Sequence, residues 1–249
     1  MENFKFSDEL NLKLVRGIEK GYSSYAEERR AKRKEMKISS AYAWVKGNHI
    51  DHHVAEELEE IEIDFIKSKA GYTWGYLQFN DSKEKNLFLI KNANVIKNKL
   101  GRHSLDTQNS DHYIVKLTHV NTNVDFKYLK KEEQGALEFL DLSPVIKSID
   151  DLEVEELKMK FNKFYILTYS IDDENRMLSD ISLWMPEFQG DSKVELYKVD
   201  SLNDYLGNSG ISVNEEAIKE LQDIPEEEFS GNAEQFGYTV IDGLKENEE

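Results

Sequence analysis

The segment KFYILTY, residues 163–169, is apolar on both of the faces that an extended chain presents. Such a strand belongs inside a sheet that is covered on both sides, so it needs strand neighbours and flanking helices. The neighbours are legible. TWGYLQF (73–79) and NLFLI (86–90) flank the polar break NDSKEK, the pattern of an antiparallel hairpin with a longish loop. DDEN turns the chain from KFYILTY into MLSDISLWM (177–185), a second hairpin, and VELYKV (194–199) reads as a late or edge strand. HYIVKLTHV (112–120) alternates apolar and polar residues and is expected to be a further strand. HSLDTQNSD (103–111) reads as a loop. The fold class is therefore α+β: a helical N-terminal region followed by a mainly antiparallel sheet with flanking helices.

The first sixty residues carry the helical period. Ser7 is placed to cap a helix in which Leu10, Leu14 and Ile18 recur on one face, with Gly21 where a terminating glycine belongs. Ser24 and Glu27 have capping-box spacing for a second helix, SYAEERRAKRKEM. Asn48 is expected to cap a third, over 49–60. Near the C-terminus, Ser201 with Asp204 and Ser212 with Glu215 read as helix starts, the second carrying Ala217, Ile218 and Leu221 before Pro225. The expected organisation is a helical region over 1–60 containing a basic helix, an α+β domain over 61–225, and a loose acidic tail over 226–249.

A chain of 249 residues with 39% hydrophobic residues can bury a core of its own. It has no cysteine, which excludes disulfides, thiolate metal ligands and cysteine nucleophiles. The opening MENFKFSDELNLKL lacks the basic and apolar regions of a signal peptide, and no apolar run has the roughly 18 residues needed to span a bilayer, so a cytoplasmic protein without membrane contact is expected. No nucleophile elbow, phosphate-binding glycine loop or dinucleotide-binding turn is present, which removes the common hydrolase, NTPase and Rossmann classes.

Charge is unevenly distributed. The formal net charge is −17, yet residues 1–50 hold 11 Lys/Arg against 7 Asp/Glu and residues 201–249 hold 2 against 13. Arg29, Arg33 and Lys37 are spaced four apart with Arg30 and Lys34 beside them, a broad basic helix face whose like charges repel at i, i+4. Although a solvated helix with no partner is the plain alternative, something usually offsets such repulsion. An acidic protein partner, a nucleic-acid backbone contacted at its phosphates, or the chain's own acidic C-terminal section would each do so. No aromatics are interleaved for base stacking.

The stretch NHIDHHVAEELEE (48–60) holds three of the six histidines. On a helix His49, His53 and Glu57 form one stripe at i, i+4 and i+8, bordering the apolar stripe of Ile50, Val54, Leu58 and Ile61. Imidazoles one turn apart are spaced to share a metal such as Zn²⁺. A third ligand from His103, Asp111 or His112 would complete a catalytic set, while His119 reads as a core residue. The simpler reading is a solvated face on which His and Glu pair one turn apart. Glu156 and Lys158, downstream of Asp141, Asp150 and Asp151, have the Glu-x-Lys pattern of Mg²⁺-dependent nucleases, but DLEVEELKMKF has helical rather than strand texture. Tyr72, Trp74 and Tyr76 could line a groove or simply pack on a hairpin.

GYTWGYLQFNDSKEKNLFLIK, HYIVKLTHVN and FYILTYSIDDENRMLSDISLWMPE, taken in that order, resemble segments of uncharacterised proteins from low-GC Gram-positive bacteria and their phages or mobile elements. The resemblance spans about residues 44–200 and implies a bacterial or phage setting; it carries over no functional residue. The expected function is that of a non-enzymatic interaction or regulatory protein. It would contact an acidic protein surface or nucleic-acid backbone through Arg29, Arg30, Arg33, Lys34 and Lys37, without a cofactor. The alternative is a metal-dependent hydrolase or nuclease using His49, His53 and Glu57 with Zn²⁺ or Mg²⁺.

Overall fold

A computed structural model describes residues 4–70, 74–94, 96, 112–131, 137–141, 151–189, 193–212 and 214–222. Helix α1 (Asp8–Glu35) is followed by a 3₁₀ turn (Ser40–Ala43) and α2 (Lys46–Glu59). Strands β1 (Asp64–Ala70), β2 (Trp74–Asp81) and β3 (Asn86–Asn92) come next, then α3 (His112–Thr118), a 3₁₀ turn (His119–Asn123), α4 (Lys127–Lys131), β4 (Leu137–Asp141) and α5 (Asp151–Lys160). Strands β5 (Lys163–Ile171), β6 (Leu178–Phe188) and β7 (Lys193–Ser201), a 3₁₀ turn (Asn203–Tyr205) and α6 (Glu215–Gln222) complete the described chain.

The strands form one sheet in the order β1-β2-β3-β5-β6-β7-β4. Every adjacent pair is antiparallel except β3 and β5, which run parallel from Asn86 opposite Lys163 to Asn92 opposite Tyr169. KFYILTY thus lies on the central strand, and its two apolar faces serve two layers. Tyr165 and Leu167 join Phe79, Phe88 and Leu183 under α1 and α2. Phe164 and Ile166 join Leu87 and Leu89 over Ile114, Val115 and Leu117 of α3. The α+β class and both hairpins are as the sequence indicated, and VELYKV is a late strand flanked by β6 and β4. The N-terminal helices share their core with the sheet: Leu14, Val15, Ile18, Ile50, Val54 and Leu58 are all fully buried in that layer. Each such side chain contributes about 1.5–3 kcal/mol of burial.

Several local expectations are corrected. HYIVKLTHV is α3 plus a 3₁₀ turn, not a strand. Tyr113, Val115 and Leu117 alternate as a strand would, whereas Ile114, Leu117 and Val120 recur every third residue, and burial of the second set beneath the sheet decides between the two periods. Asn121, just beyond, inserts its amide between strands: Nδ2 donates to the carbonyls of Phe164 (2.9 Å) and Pro186 (2.8 Å), and Oδ1 accepts from Phe164 N–H at 2.7 Å. Helix α2 begins at Lys46 with no side-chain cap, so Asn48 is inside it. Asn214, rather than Ser212, caps α6 by accepting from the amides of Glu216 and Ala217. Ser201 ends β7, and Asp204 sits in a single 3₁₀ turn. Loop 103–111 and the tail lie outside the described residues.

Gly21 does not end a helix. α1 runs unbroken for 28 residues through Gly21, Ser24 and Glu27, capped by Ser7 Oγ, which accepts from Leu10 N–H. Gly17 and Gly21, one turn apart, are where α2 touches the α1 backbone. A Cβ on Gly17 would lie 2.5 Å from Val54 Cα, and one on Gly21 would lie 2.5 Å from Ile50 Cα and 2.7 Å from the His49 carbonyl oxygen. Ser24, released from capping, meets His49 Nδ1 at 3.0 Å. A glycine inside a helix costs up to about 1 kcal/mol in propensity, which the close contact offsets. Gly21→Ala is therefore expected to lower stability by about 1–3 kcal/mol, because the obstructing atoms are backbone. Gly47→Ala, whose Cβ would meet nothing within 4 Å, should instead raise it by up to about 1 kcal/mol. Urea unfolding midpoints of the two variants check the opposite signs.

Candidate functional site

The basic face occupies the C-terminal half of α1. Lys32, Arg33 and Lys34 fall in the last helical turn, where the carbonyl end of the helix favours positive charge. The five residues separate by environment. Arg29 is 1% exposed and donates to the Ser39 carbonyl, tying α1 to the chain that enters α2. Arg30 reaches α6, with Nε 3.0 Å from Glu220 Oε1 and Nη2 2.7 Å from Glu216 Oε2. Lys34 meets the same Glu220 oxygen at 3.2 Å, and Arg33 donates to the Glu220 carbonyl at 3.2 Å. Burial alone would raise the Glu220 carboxyl, but hydrogen bonds from Lys34 and Arg30 outweigh it and hold the group below the ordinary carboxylate range. Lys37 is exposed beyond the helix end and contacts no carboxylate among the described residues. Much of the like-charge repulsion is thus offset from within, by two glutamates one turn apart on the acidic C-terminal helix.

Beneath this contact lies a small apolar cluster of Tyr22, Tyr25 and Ala26 with Ala217, Ile218 and Leu221. The β5–β6 hairpin closes it: Tyr22 Oη donates to the carbonyl of Arg176, a non-glycine residue at φ 57°. Lys46, with its ammonium 5.7 Å from the Tyr25 ring centroid, is pushed down to about 8 by burial and by Arg176. Desolvation raises the Tyr25 phenol to about 12. Nothing in the local sequence marks Lys46 or Arg176.

The histidine stripe does lie on one helix, but its members face different partners. His49 packs edge-on to Tyr25, with Nδ1 on Ser24 and Nε2 3.4 Å from Glu28; burial lowers its pKa and Glu28 partly opposes this. Glu57, only 3% exposed, is turned to α1, where Lys13 (3.2 Å), Arg16 (3.1 Å) and Lys20 surround it. Arg16 also donates to the Ser209 carbonyl at 2.8 Å. Burial raises the Glu57 carboxyl, yet the three cations outweigh it and its pKa is lowered. His49, His53 and Glu57 therefore do not converge. Among the described residues, the histidine and carboxylate atoms that do are those of His52, His53 and Glu56, all within 4.8 Å of one another. The signal for that set was present as two histidines followed by a glutamate at i+4 and i+3.

The other sequence candidates are placed plainly. Glu156 and Lys158 sit on α5, with Lys158 paired to Glu155 at 2.9 Å. Tyr76 is buried, packed on Tyr113 at 4.6 Å between centroids and covered by Lys91. His119 packs against Phe188 with tilted rings, 4.6 Å between centroids. His103, Asp111, Asp150 and Tyr72 fall outside the described residues, as do the side chains of His112, Asp141, Asp151 and Trp74. No helix among the described residues is long and apolar enough to cross a membrane. Compared with known proteins, the chain matches no family, no curated protein and no solved structure.

Two carboxylates of α2 should respond to pH in opposite senses. The Glu57 carboxyl, held below its unfolded value near 4.5, contributes stability above that pH and gives it up as pH falls through the folded value. Glu57→Gln is expected to cost about 2–4 kcal/mol at pH 7, with the difference from wild type shrinking below about pH 4.5. Asp51, whose carboxylate accepts from Leu77 N–H at 3.0 Å, is raised by burial to about 6. A folded value above the unfolded one means that stability is lost as pH rises through 6, so Asp51→Asn should be more stable than wild type at pH 8 and equal to it near pH 4. Denaturant titrations across pH 4–8 measure both.

Proposed function

We propose that this chain is a non-enzymatic interaction protein that binds an acidic protein surface through the C-terminal end of α1. The observation that carries the reading is the mixed cationic and apolar tip left after the internal pairing. Arg33 and Lys37 are exposed and meet no side-chain carboxylate among the described residues, while Met36 is 45% and Ile38 79% exposed beside them. Protein contacts favour arginine and exposed apolar anchors placed together. The adjoining contact with α6 is an example of what this face accepts: carboxylates one helical turn apart, seated on Arg30 and Lys34. A formal charge of −17 works against a phosphate backbone as the partner, since the rest of the molecule repels it. An acidic protein meets the same long-range repulsion, but its apolar groups find Met36 and Ile38, for which a duplex backbone has no counterpart.

Two labelled probes test the proposal by fluorescence anisotropy: an acidic peptide helix with glutamates four residues apart, and a DNA duplex of matched charge. The peptide is expected to bind at low salt, more weakly as salt rises, with Arg33→Glu/Lys37→Glu reducing affinity by about tenfold or more. The same variant should keep its Tm within about 2 °C of wild type, as exposed substitutions do. Preference for the duplex would move the partner to nucleic acid. Binding of neither probe, or equal binding by the variant, overturns the proposal.

A further inference from the structure

We propose that His52, His53 and Glu56 on the outer face of α2 form a binding site for a late first-row divalent metal such as zinc, independently of the basic tip. Glu56 sits between the two imidazoles. Its Oε2 is 2.8 Å from His53 Nδ1 and its Oε1 3.5 Å from His52 Nε2. Ligands held at 2.0–2.2 Å in a tetrahedron are separated from one another by about 3.3–3.5 Å. The two carboxylate contacts already bracket that spacing. The third edge, between the imidazoles, is no longer than 4.8 Å and closes by rotation of the His52 ring, whose side chain is 65% exposed.

The neighbours sharpen the set. His49, one turn earlier, is occupied by Ser24 and Glu28, and Glu57 by its three cations, so neither competes for the ion or completes its shell. The backbone carrying the donors is fixed. Ile50 and Val54 lie against the two α1 glycines, and Asp51 is bonded to β2, so binding need only order side chains. Two nitrogen donors with one carboxylate select zinc, copper or nickel over magnesium, which favours oxygen ligands. Three protein ligands leave a coordination position open on the exposed side. There a water, or a donor from a second molecule, would complete the sphere. In the metal-free state His53 Nδ1 hydrogen-bonds Glu56 while His52 Nε2 lies 3.5 Å from it, and metal entry replaces a proton on a nitrogen that faces Glu56.

The test is isothermal titration of zinc chloride into the full chain without a histidine tag, alongside the visible spectrum of the cobalt(II) form. One saturable site is expected, with tetrahedral cobalt absorption, unaffected by excess magnesium. His53→Ala and Glu56→Gln should each weaken zinc by at least about tenfold, the scale seen even for outer-shell losses. His49→Ala should leave it unchanged. Absence of saturable zinc binding overturns the proposal. So does zinc binding that survives in the His52→Ala/His53→Ala double variant or is lost in His49→Ala. Far-ultraviolet circular dichroism of each variant separates loss of a ligand from loss of the helix.

Discussion

The contact between α1 and α2 at Gly17 and Gly21 is the constraint from which the other features of the helical layer follow. With no Cβ at either position, Val54 and Ile50 rest directly on the α1 backbone, and the rotation of α2 about its own axis is fixed. That rotation sends Glu57 inward to Lys13, Arg16 and Lys20, puts His49 against Tyr25, and leaves His52, His53 and Glu56 facing outward. The apolar edges of both helices then meet Phe79, Phe88 and Leu167 on the sheet. A single pair of missing side chains therefore sorts one helix into a buried ionic side, a packed side and a solvated side.

Charge in this molecule is segregated along the chain and partly recombined in space. The acidic C-terminal helix lies on the basic end of α1, and the buried Glu57 draws three cations from the first half of α1. The two arrangements differ in kind. Glu57 is almost fully enclosed, so leaving it without its partners would strand a charge in a poorly solvated place. Glu216 is 75% exposed, and ion pairs in that position are worth at most about 1 kcal/mol because water and salt screen them. The first holds the helical layer together, whereas the second mainly relieves repulsion along the basic face.

How much of this was legible depended on whether the deciding contact was local. KFYILTY announced a central strand because both of its faces are apolar, and the two hairpins announced themselves through short polar turns. The segment 112–120 did not, since Tyr113, Val115 and Leu117 alternate while Ile114, Leu117 and Val120 keep helical spacing, and only the sheet above them decides. Strand β1, DFIKSKA, has too little alternating apolar character to stand out, as befits an edge strand carrying Lys67 and Lys69. Gly21 reads as a helix stop until Ile50 is seen across from it. At the site, the basic face was plain in the sequence, but its counter-charges come from a helix 186 residues away. The histidine stripe was equally plain. Which glutamate would face it was not, because a neighbouring helix captured Glu57.

The sheet joins two locally connected ribbons, β1-β2-β3 and β5-β6-β7-β4, along one parallel seam between Asn86–Asn92 and Lys163–Tyr169. Each ribbon is built mostly from neighbours in sequence, whereas the seam must bring together strands separated by the whole of α3, α4, β4 and α5. Chain-closure entropy weighs on that step far more than on either ribbon. The natural order of assembly is thus two half-sheets first and the seam afterwards, with Asn121 clamping Phe164 and Pro186 within the second half. On a ribosome, the first ribbon and its two covering helices would wait, with the open edge of β3 exposed, until β5 emerged to cover it.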